Sequence, residues 1–267
     1  MRRLALALGI ATVTWLGLAA ADAPRTARQI LDERKALDDG PRRWTDRQER
    51  MRLTTVRRGT TLIRELEVFE RRDGDEKTSI LFLQEPRVLK GMAFLAFTHP
   101  NAPNDLRSLL PPNPRVRRVS GTDRSGSFFD SVLSFEDVDV VQEMLQWTED
   151  DATAQLRGEE RIDDVDCDVI ELTPKSAVTS YRKIVVWLGK RDLVPRQLEL
   201  FASDAEPVKR LGQRDIRSVD AIPVAFRVEV EDLEKHNTTT IVSSDVRFNQ
   251  HLDADLFTER AMLQGGR

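Results

Sequence analysis

The chain has 267 residues, enough for one large β domain or two small ones with a sizeable core. Its 41 Lys and Arg against 45 Asp and Glu leave a net charge of −4, and this mild acidity argues against a nucleic-acid partner because no basic excess exists to neutralise phosphates. The single Cys, Cys167, excludes an intramolecular disulfide and reads as a small buried hydrophobe.

Met1, Arg2 and Arg3 precede an apolar run from Leu4 to Ala20, with small residues at Ala19, Ala21 and Ala23. That is the three-part layout of a secretory signal peptide. Gly9, Thr12, Thr14 and Gly17 interrupt the run, which falls short of the roughly 20 strongly apolar residues of a membrane span. Residues 1–21 are therefore expected to be removed, with a cut after Ala23 as the alternative, leaving residues 22–267 as one domain free in the periplasm. No Cys lies near the cut, so the chain is not expected to be a lipoprotein itself.

Ala27, Ile30, Leu31, Arg34 and Leu37 have helical spacing, and Asp39-Gly40-Pro41 stops the pattern, which predicts an amphipathic opening helix. From about residue 48 the texture changes to short alternating segments. Strands are predicted over residues 61–71, 77–84, 92–98, 155–162, 167–173, 181–188, 196–201, 222–233 and 239–248. Asp73-Gly74-Asp75 and Gly189-Lys190-Arg191-Asp192 read as hairpin tips. Sequential hairpins predict an antiparallel meander, and the lack of βαβ alternation argues against a parallel sheet. Between residues 99 and 154 the meander is interrupted: Pro100, Pro103, Pro111, Pro112 and Pro114 mark a connection, followed by short helical pieces that cross the sheet with Phe135, Val138, Val141 and Leu145 as their apolar residues. Arg71, Arg72, Arg115, Arg117 and Arg118 read as solvated strand edges.

Ile222, Val224, Phe226, Val228 and Val230 share one face of their strand, while Arg227 and Glu229 take the other. The same alternation gives Leu62, Leu66 and Val68 early in the chain and Leu198 and Leu200 late. Between them lie either Val185 and Trp187 or Ile184, Val186 and Leu188. About nine strands against three short helices leave a broad apolar face to cover, so a curled sheet is expected to keep an apolar cavity on its concave side; an ordinary packed core is the alternative.

Catalytic patterns are sparse. His99, His236 and His251 lack metal-ligand spacing, and no Gly-x-Ser-x-Gly elbow, phosphate loop or dinucleotide fingerprint occurs. Asp163, Asp164, Asp166 and Asp168 lack the glycine and closing glutamate of a calcium loop and read as a solvated hairpin tip. No catalytic residue, metal or cofactor is expected.

The stretch Arg117-Arg118-Val119, Gly121, then Gly126-Ser127-Phe128-Phe129-Asp130-Ser131-Val132-Leu133-Ser134-Phe135-Glu136-Asp137-Val138 resembles the outer-membrane lipoprotein-sorting proteins with a LolA-like fold, in the branch associated with RND or MMPL-type transporters. Residues 86–95, Tyr181 to Trp187 and Lys209 add to the resemblance. Asp130 stands where that family has Gly, Val132 replaces its Asp, Leu133 its Phe and Phe135 its Tyr. The resemblance implies a mainly β, α+β fold in which a single curved antiparallel sheet forms a half-barrel, with a few short helices over its concave face. It also implies a periplasmic carrier or acceptor for acyl chains or lipidated proteins, working with an inner-membrane transporter and needing no catalytic group. A lipid-sensing adaptor that acts through protein contacts is the alternative. Joined to the alternation above, it nominates Leu66, Phe94, Phe128, Phe129, Phe135, Val185, Trp187, Leu198, Phe226 and Val228 as the lining of an apolar cavity.

Overall fold

The computed structural model describes residues 25–99, 102–110, 113–175 and 179–265, so the leader expected over 1–21 lies outside the described residues. The chain opens with helix α1, Ala27–Asp39, whose N-terminus is fixed by a reciprocal capping box between Thr26 and Gln29. It buries Ala27, Ile30 and Leu31. Six strands follow: β1 Asp46–Arg57, β2 Thr60–Asp73, β3 Glu76–Glu85, β4 Ala93–His99, β5 Ala102–Leu110 and β6 Asn113–Val119. A crossing segment then carries 3-10 turns and helix α2, Phe135–Glu143. Seven more strands complete the sheet: β7 Ala152–Ile162, β8 Val165–Pro174, β9 Lys183–Gly189, β10 Pro195–Phe201, β11 Lys209–Val219, β12 Ile222–Asp232 and β13 Asn237–Phe248. A short helix α3, Glu259–Gln264, ends the described chain.

The thirteen strands form one antiparallel sheet in the order β6-β5-β4-β3-β2-β1-β13-β12-β11-β10-β9-β8-β7. Each strand pairs with its neighbour in sequence, except that β13 closes onto β1; β6 and β7 are the free edges, so the sheet is not closed. The chain leaves at one edge and re-enters at the other. The crossing segment must therefore run over one face, called the inner face here.

On that face Leu53, Leu66, Val68, Leu83, Phe94, Ile170, Ile184, Val186, Leu198, Leu211 and Val230 join one core with α1 and with Phe128, Phe129, Phe135, Val140 and Met144 of the crossing segment. On α2 and its continuation the buried apolar residues are Phe135, Val140 and Met144, while Val138, Val141 and Leu145 are only partly buried. Within the helical span, Phe135 of the expected set is thus the one that faces the core most fully.

Four strands escaped the sequence reading for physical reasons. β1 turns Arg47, Glu49 and Thr55 inward along with Met51 and Leu53, so its inward set does not read as apolar. β11 carries Gly212 and alternates weakly. The Pro-rich stretch read as a connection holds β5 and β6. Pro103 lies at the irregular register between Phe97 and His99, and Pro114 lies on an edge strand, the two kinds of place where a missing N–H is tolerated.

Helices were expected only on the inner face, but α3 packs on the outer one. Phe257, Ala261 and Met262 cover Ile80, Phe82, Ala93, Leu95 and Leu109. The signal was in the sequence: Ile80-Leu81-Phe82-Leu83 and Ala93-Phe94-Leu95 are continuous apolar runs rather than alternations, as expected of strands buried on both sides.

Candidate ligand-binding face

Residues 127–134 fold into a small closed loop that drives two rings into the inner face. Ser127 and Ser134 bridge its base, Phe128 N donates to Leu133 O at 2.8 Å and Ser131 N donates to Phe128 O at 2.9 Å. Phe129 and Asp130 sit in the left-handed region at φ 48° and 58°, a costly backbone for a ring-bearing residue and a tolerated one for Asp. The return is burial. Phe94 of β4 meets Phe129 at 4.9 Å, Phe135 at 4.8 Å and Phe128 at 6.4 Å between centroids.

Polar pins hold this loop down. Arg57 donates to Ser127 Oγ at 3.2 Å and to Ser131 O, and Arg64 pairs with Asp130 at 2.6 Å. Thr239, fully buried, bonds the Thr55 hydroxyl at 2.9 Å and accepts from Val132 N at 3.0 Å. Both arginines belong to the inner face, since Arg64 stands opposite Leu53 and Arg57 alternates with Thr55 and Leu53.

Helix α2 is anchored by a buried carboxylate. Ser134 and Asp137 form a reciprocal capping box, and Asp137, 0% exposed, also accepts from Tyr181 Oη and Lys209 Nζ. Burial, and then the Asp137 charge, hold the Tyr181 hydroxyl far above its usual range. Burial works against the neighbouring Glu136 carboxylate, yet donors from Ser180 and Thr179 hold it below its ordinary value. Tyr181 and Lys209, which the sequence pointed to as separate matches, thus meet the central motif at one buried anchor. Its signal was legible as Ser134-x-x-Asp137, an acidic capping pattern.

The far end of α2 is tied less comfortably. Asp139 pairs with Arg124, and Glu143 accepts from Asn104 Nδ2. Burial raises both carboxylates despite these partners, and their proximity raises Glu143 further. A carboxylate with a raised folded-state pKa binds its proton more tightly folded than unfolded. This part of the stability therefore grows as pH falls through the raised value towards about 4.5 and is lost above it. Glu143→Gln should leave stability at neutral pH unchanged or raise it by less than about 1 kcal/mol, and should flatten the pH dependence of the melting temperature above the ordinary carboxylate value of about 4.5. A melting curve that steepens over that range in the variant would contradict this.

The inner face is not apolar throughout. Towards the start of β1, Arg47 pairs with Glu49 at 2.7 Å and Glu70 at 3.6 Å, and Lys77 lies 3.9 Å from Glu70. Burial pushes Glu49 up, whereas Lys77 and Arg47 hold Glu70 down against its own burial. Beyond this band a second apolar group gathers Trp44, Ile222, Val224, Val246 and Phe248.

The nominated lining residues divide accordingly. Leu66, Phe94, Phe128, Phe129, Phe135 and Leu198 meet in the main inner core, with Val228 partly buried against it. Phe226 belongs to the second group, under the Arg217 guanidinium at 4.7 Å. Val185 and Trp187 require correction. The inner set of β9 is Ile184, Val186 and Leu188, so these two point outward beside Cys167 and Val169, with Trp187 Nε1 donating to Glu160 at 2.9 Å. Both sets alternate equally well and only pairing decides between them. Asp163, Asp164 and Asp166 are exposed at a hairpin tip as expected, but Asp168 is buried and pairs with Arg25 at 3.2 Å. Arg57, Arg64 and Thr239 were not foreseen, because a charged or hydroxyl residue in a strand carries no sign of pinning a loop.

Among the described residues no group of His, Cys, Asp and Glu could hold a metal ion. A surface groove of about 280 Å³ lies between α1 and the end of the crossing segment, lined by Arg28, Leu31, Lys35, Leu145 and Trp147. No described helix is long and apolar enough to cross a membrane.

A family model that carries the description "uncharacterized protein" matches residues 74–264, well over half of the chain. The chain belongs to that family. No curated protein matches it at a significant level. Solved structures resemble it over nearly the whole domain. A DUF1329 family protein from Desulfovibrio piger has a TM-score of 0.81 at 24% identity, covering 88% of this chain and 98% of its own. A domain provisionally described as an outer membrane lipoprotein-sorting protein, from Vibrio parahaemolyticus, gives 0.78 at 24%, with 88% and 97% covered. A LolA superfamily protein from Nitrosomonas europaea gives 0.66 at 20%, with 89% and 99% covered. The fold is LolA-like, as the sequence resemblance implied, with one open antiparallel sheet and few short helices.

Proposed function

We propose that this chain is a periplasmic carrier or acceptor that takes acyl chains, of lipids or of lipidated proteins, onto the inner face of its sheet, with its leader removed on export and with an inner-membrane transporter as its partner. The observation that carries the reading is the crossing segment: a broad apolar sheet face is covered, beside α1, by a short loop of two phenylalanines and one helix, whose apolar side chains fill that face and whose backbone is held by a few polar pins. The neighbours' names, which speak of lipoprotein sorting and the LolA superfamily, support it.

The chemistry required is modest. Burial of an acyl chain is worth roughly 0.8 kcal/mol per methylene, so a 16-carbon chain brings about 12 kcal/mol before the costs of ordering and of lifting the cover. That is ample without any catalytic group, and the reading is of a non-enzymatic protein. Leu66, Phe94 and Leu198 would form the floor of the site, and Phe128, Phe129 and Phe135 its displaceable roof.

Adjacent residues of β12 provide the test. Val228 is inner and partly buried against the main core, whereas Arg227 is exposed on the outer face. Val228→Asp places a carboxylate in apolar surroundings and should weaken binding of a fluorescent fatty-acyl probe about tenfold or more. Arg227→Asp should change it less than about twofold, with melting temperatures confirming that both variants are folded. Equal effects of the two would count against the inner face as the site.

A further inference from the structure

The loop that covers the inner face answers the charge of its two arginine pins unequally. Arg57 has only neutral acceptors, the Ser127 hydroxyl at 3.2 Å and the Ser131 carbonyl, and among the described residues it makes no ion pair. Arg64 donates to Ile63 O at 2.9 Å and pairs with one carboxylate, Asp130, at 2.6 Å. The Arg64 side chain is 12% exposed and that of Asp130 49%, so the cation belongs to the protein body and the anion to the loop that covers it. The two guanidiniums converge on adjacent residues, 130 and 131, at the border of the apolar face where Leu53 stands opposite Arg64.

We propose that the cargo held on the inner face carries an anionic head group, a carboxylate or a phosphate, that Arg57 and Arg64 bind, and that Asp130 is the chain's own substitute for that head group while the cover is closed. The inference rests on the carrier reading above. Asp130 directly follows Phe129, so withdrawal of the two rings from the acyl site also withdraws the carboxylate from Arg64. Arg64 would then be left without an anion and Arg57 without its loop acceptors, a costly state for partly buried guanidiniums. An anionic head on an incoming chain restores the pairing through charge-assisted hydrogen bonds, and a planar guanidinium suits carboxylate and phosphate alike. A neutral head leaves the arginines unpaired and a cationic head adds repulsion. Asp130 acts as a built-in competitor that sets how strongly an anion must bind to open the site.

The test compares three ligands of equal chain length, hexadecanoate, hexadecyl phosphate and hexadecanol, with inorganic phosphate as a chain-free anion. Both anionic chains should bind the wild type about tenfold more tightly than the alcohol. Asp130→Asn keeps a residue that accepts the left-handed backbone while removing the competing charge. It should tighten binding of all three ligands about fivefold, because any chain that lifts the cover must part Asp130 from Arg64. Arg64→Gln should abolish the preference for anions without weakening the alcohol. A merely structural role of the pair would move all three ligands together in Arg64→Gln as well, and that result overturns the proposal. So does displacement of the anionic chains by inorganic phosphate, which would mark a free-anion site. Hexadecanol binding as tightly as the anions overturns this proposal alone and leaves the carrier reading intact. Failure of every chain to bind overturns both.

Discussion

Asp137→Ala is expected to cost about 3–5 kcal/mol of folding stability, among the largest effects of any single polar change in this chain. The reason is what stays behind. Lys209 Nζ and Tyr181 Oη both spend their hydrogen bonds on this fully buried carboxylate, and Ser134 N donates to it at 2.7 Å. Alanine leaves a largely buried ammonium, a half-buried phenol and a helix N-terminus without acceptors, and each is costly on its own. Removing the stranded cation as well should recover part of the loss, so the double variant Asp137→Ala/Lys209→Met is expected to be more stable than Asp137→Ala alone. Urea denaturation of the wild type, both single variants and the double variant measures this. A loss below about 1 kcal/mol for Asp137→Ala would show that the anchor of α2 lies elsewhere.

Phe94→Ala should cost a comparable amount, about 3–5 kcal/mol, because its ring is the floor on which Phe128, Phe129 and Phe135 rest. Trp187→Ala, on the outer face, removes a ring of similar value and provides the control. Both variants should melt lower than wild type. Only Phe94→Ala should alter association of a fluorescent acyl probe, which is expected to become faster as the cover loses its ring contacts. Equal probe kinetics in the two variants would mean that the aromatic group is core and nothing more.

Much of this architecture was legible in the sequence, and the exceptions are instructive. The opening helix, nine of the strands and the hairpin tips follow from apolar spacing and from Asp, Gly and Pro signals. β1 did not, because the inner face there is a buried charged band of Arg47, Glu49 and Glu70, and alternation of charged residues looks like a solvated surface. For β9 the choice between Val185 with Trp187 and Ile184 with Val186 was undecidable by period alone, because both faces of that strand are buried and only its pairing with β8 and β10 settles which points inward. Phe128, Phe129 and Phe135 could be placed together because three rings are costly to expose. What the sequence could not show is the means of closure. Arg57, Arg64 and Thr239 are ordinary strand residues until the crossing segment is laid over them.

The central claim is that an acyl chain occupies the inner face, and lipid mass spectrometry on the full protein, gently purified from the periplasmic fraction, tests it most directly. The account predicts a non-covalent complex with about one acyl-bearing molecule per chain, lost when the protein is unfolded in urea. It further predicts that stripped protein takes up a fluorescent fatty-acyl probe saturably. A preparation free of acyl-bearing molecules that also fails to bind the probe saturably after stripping would contradict it.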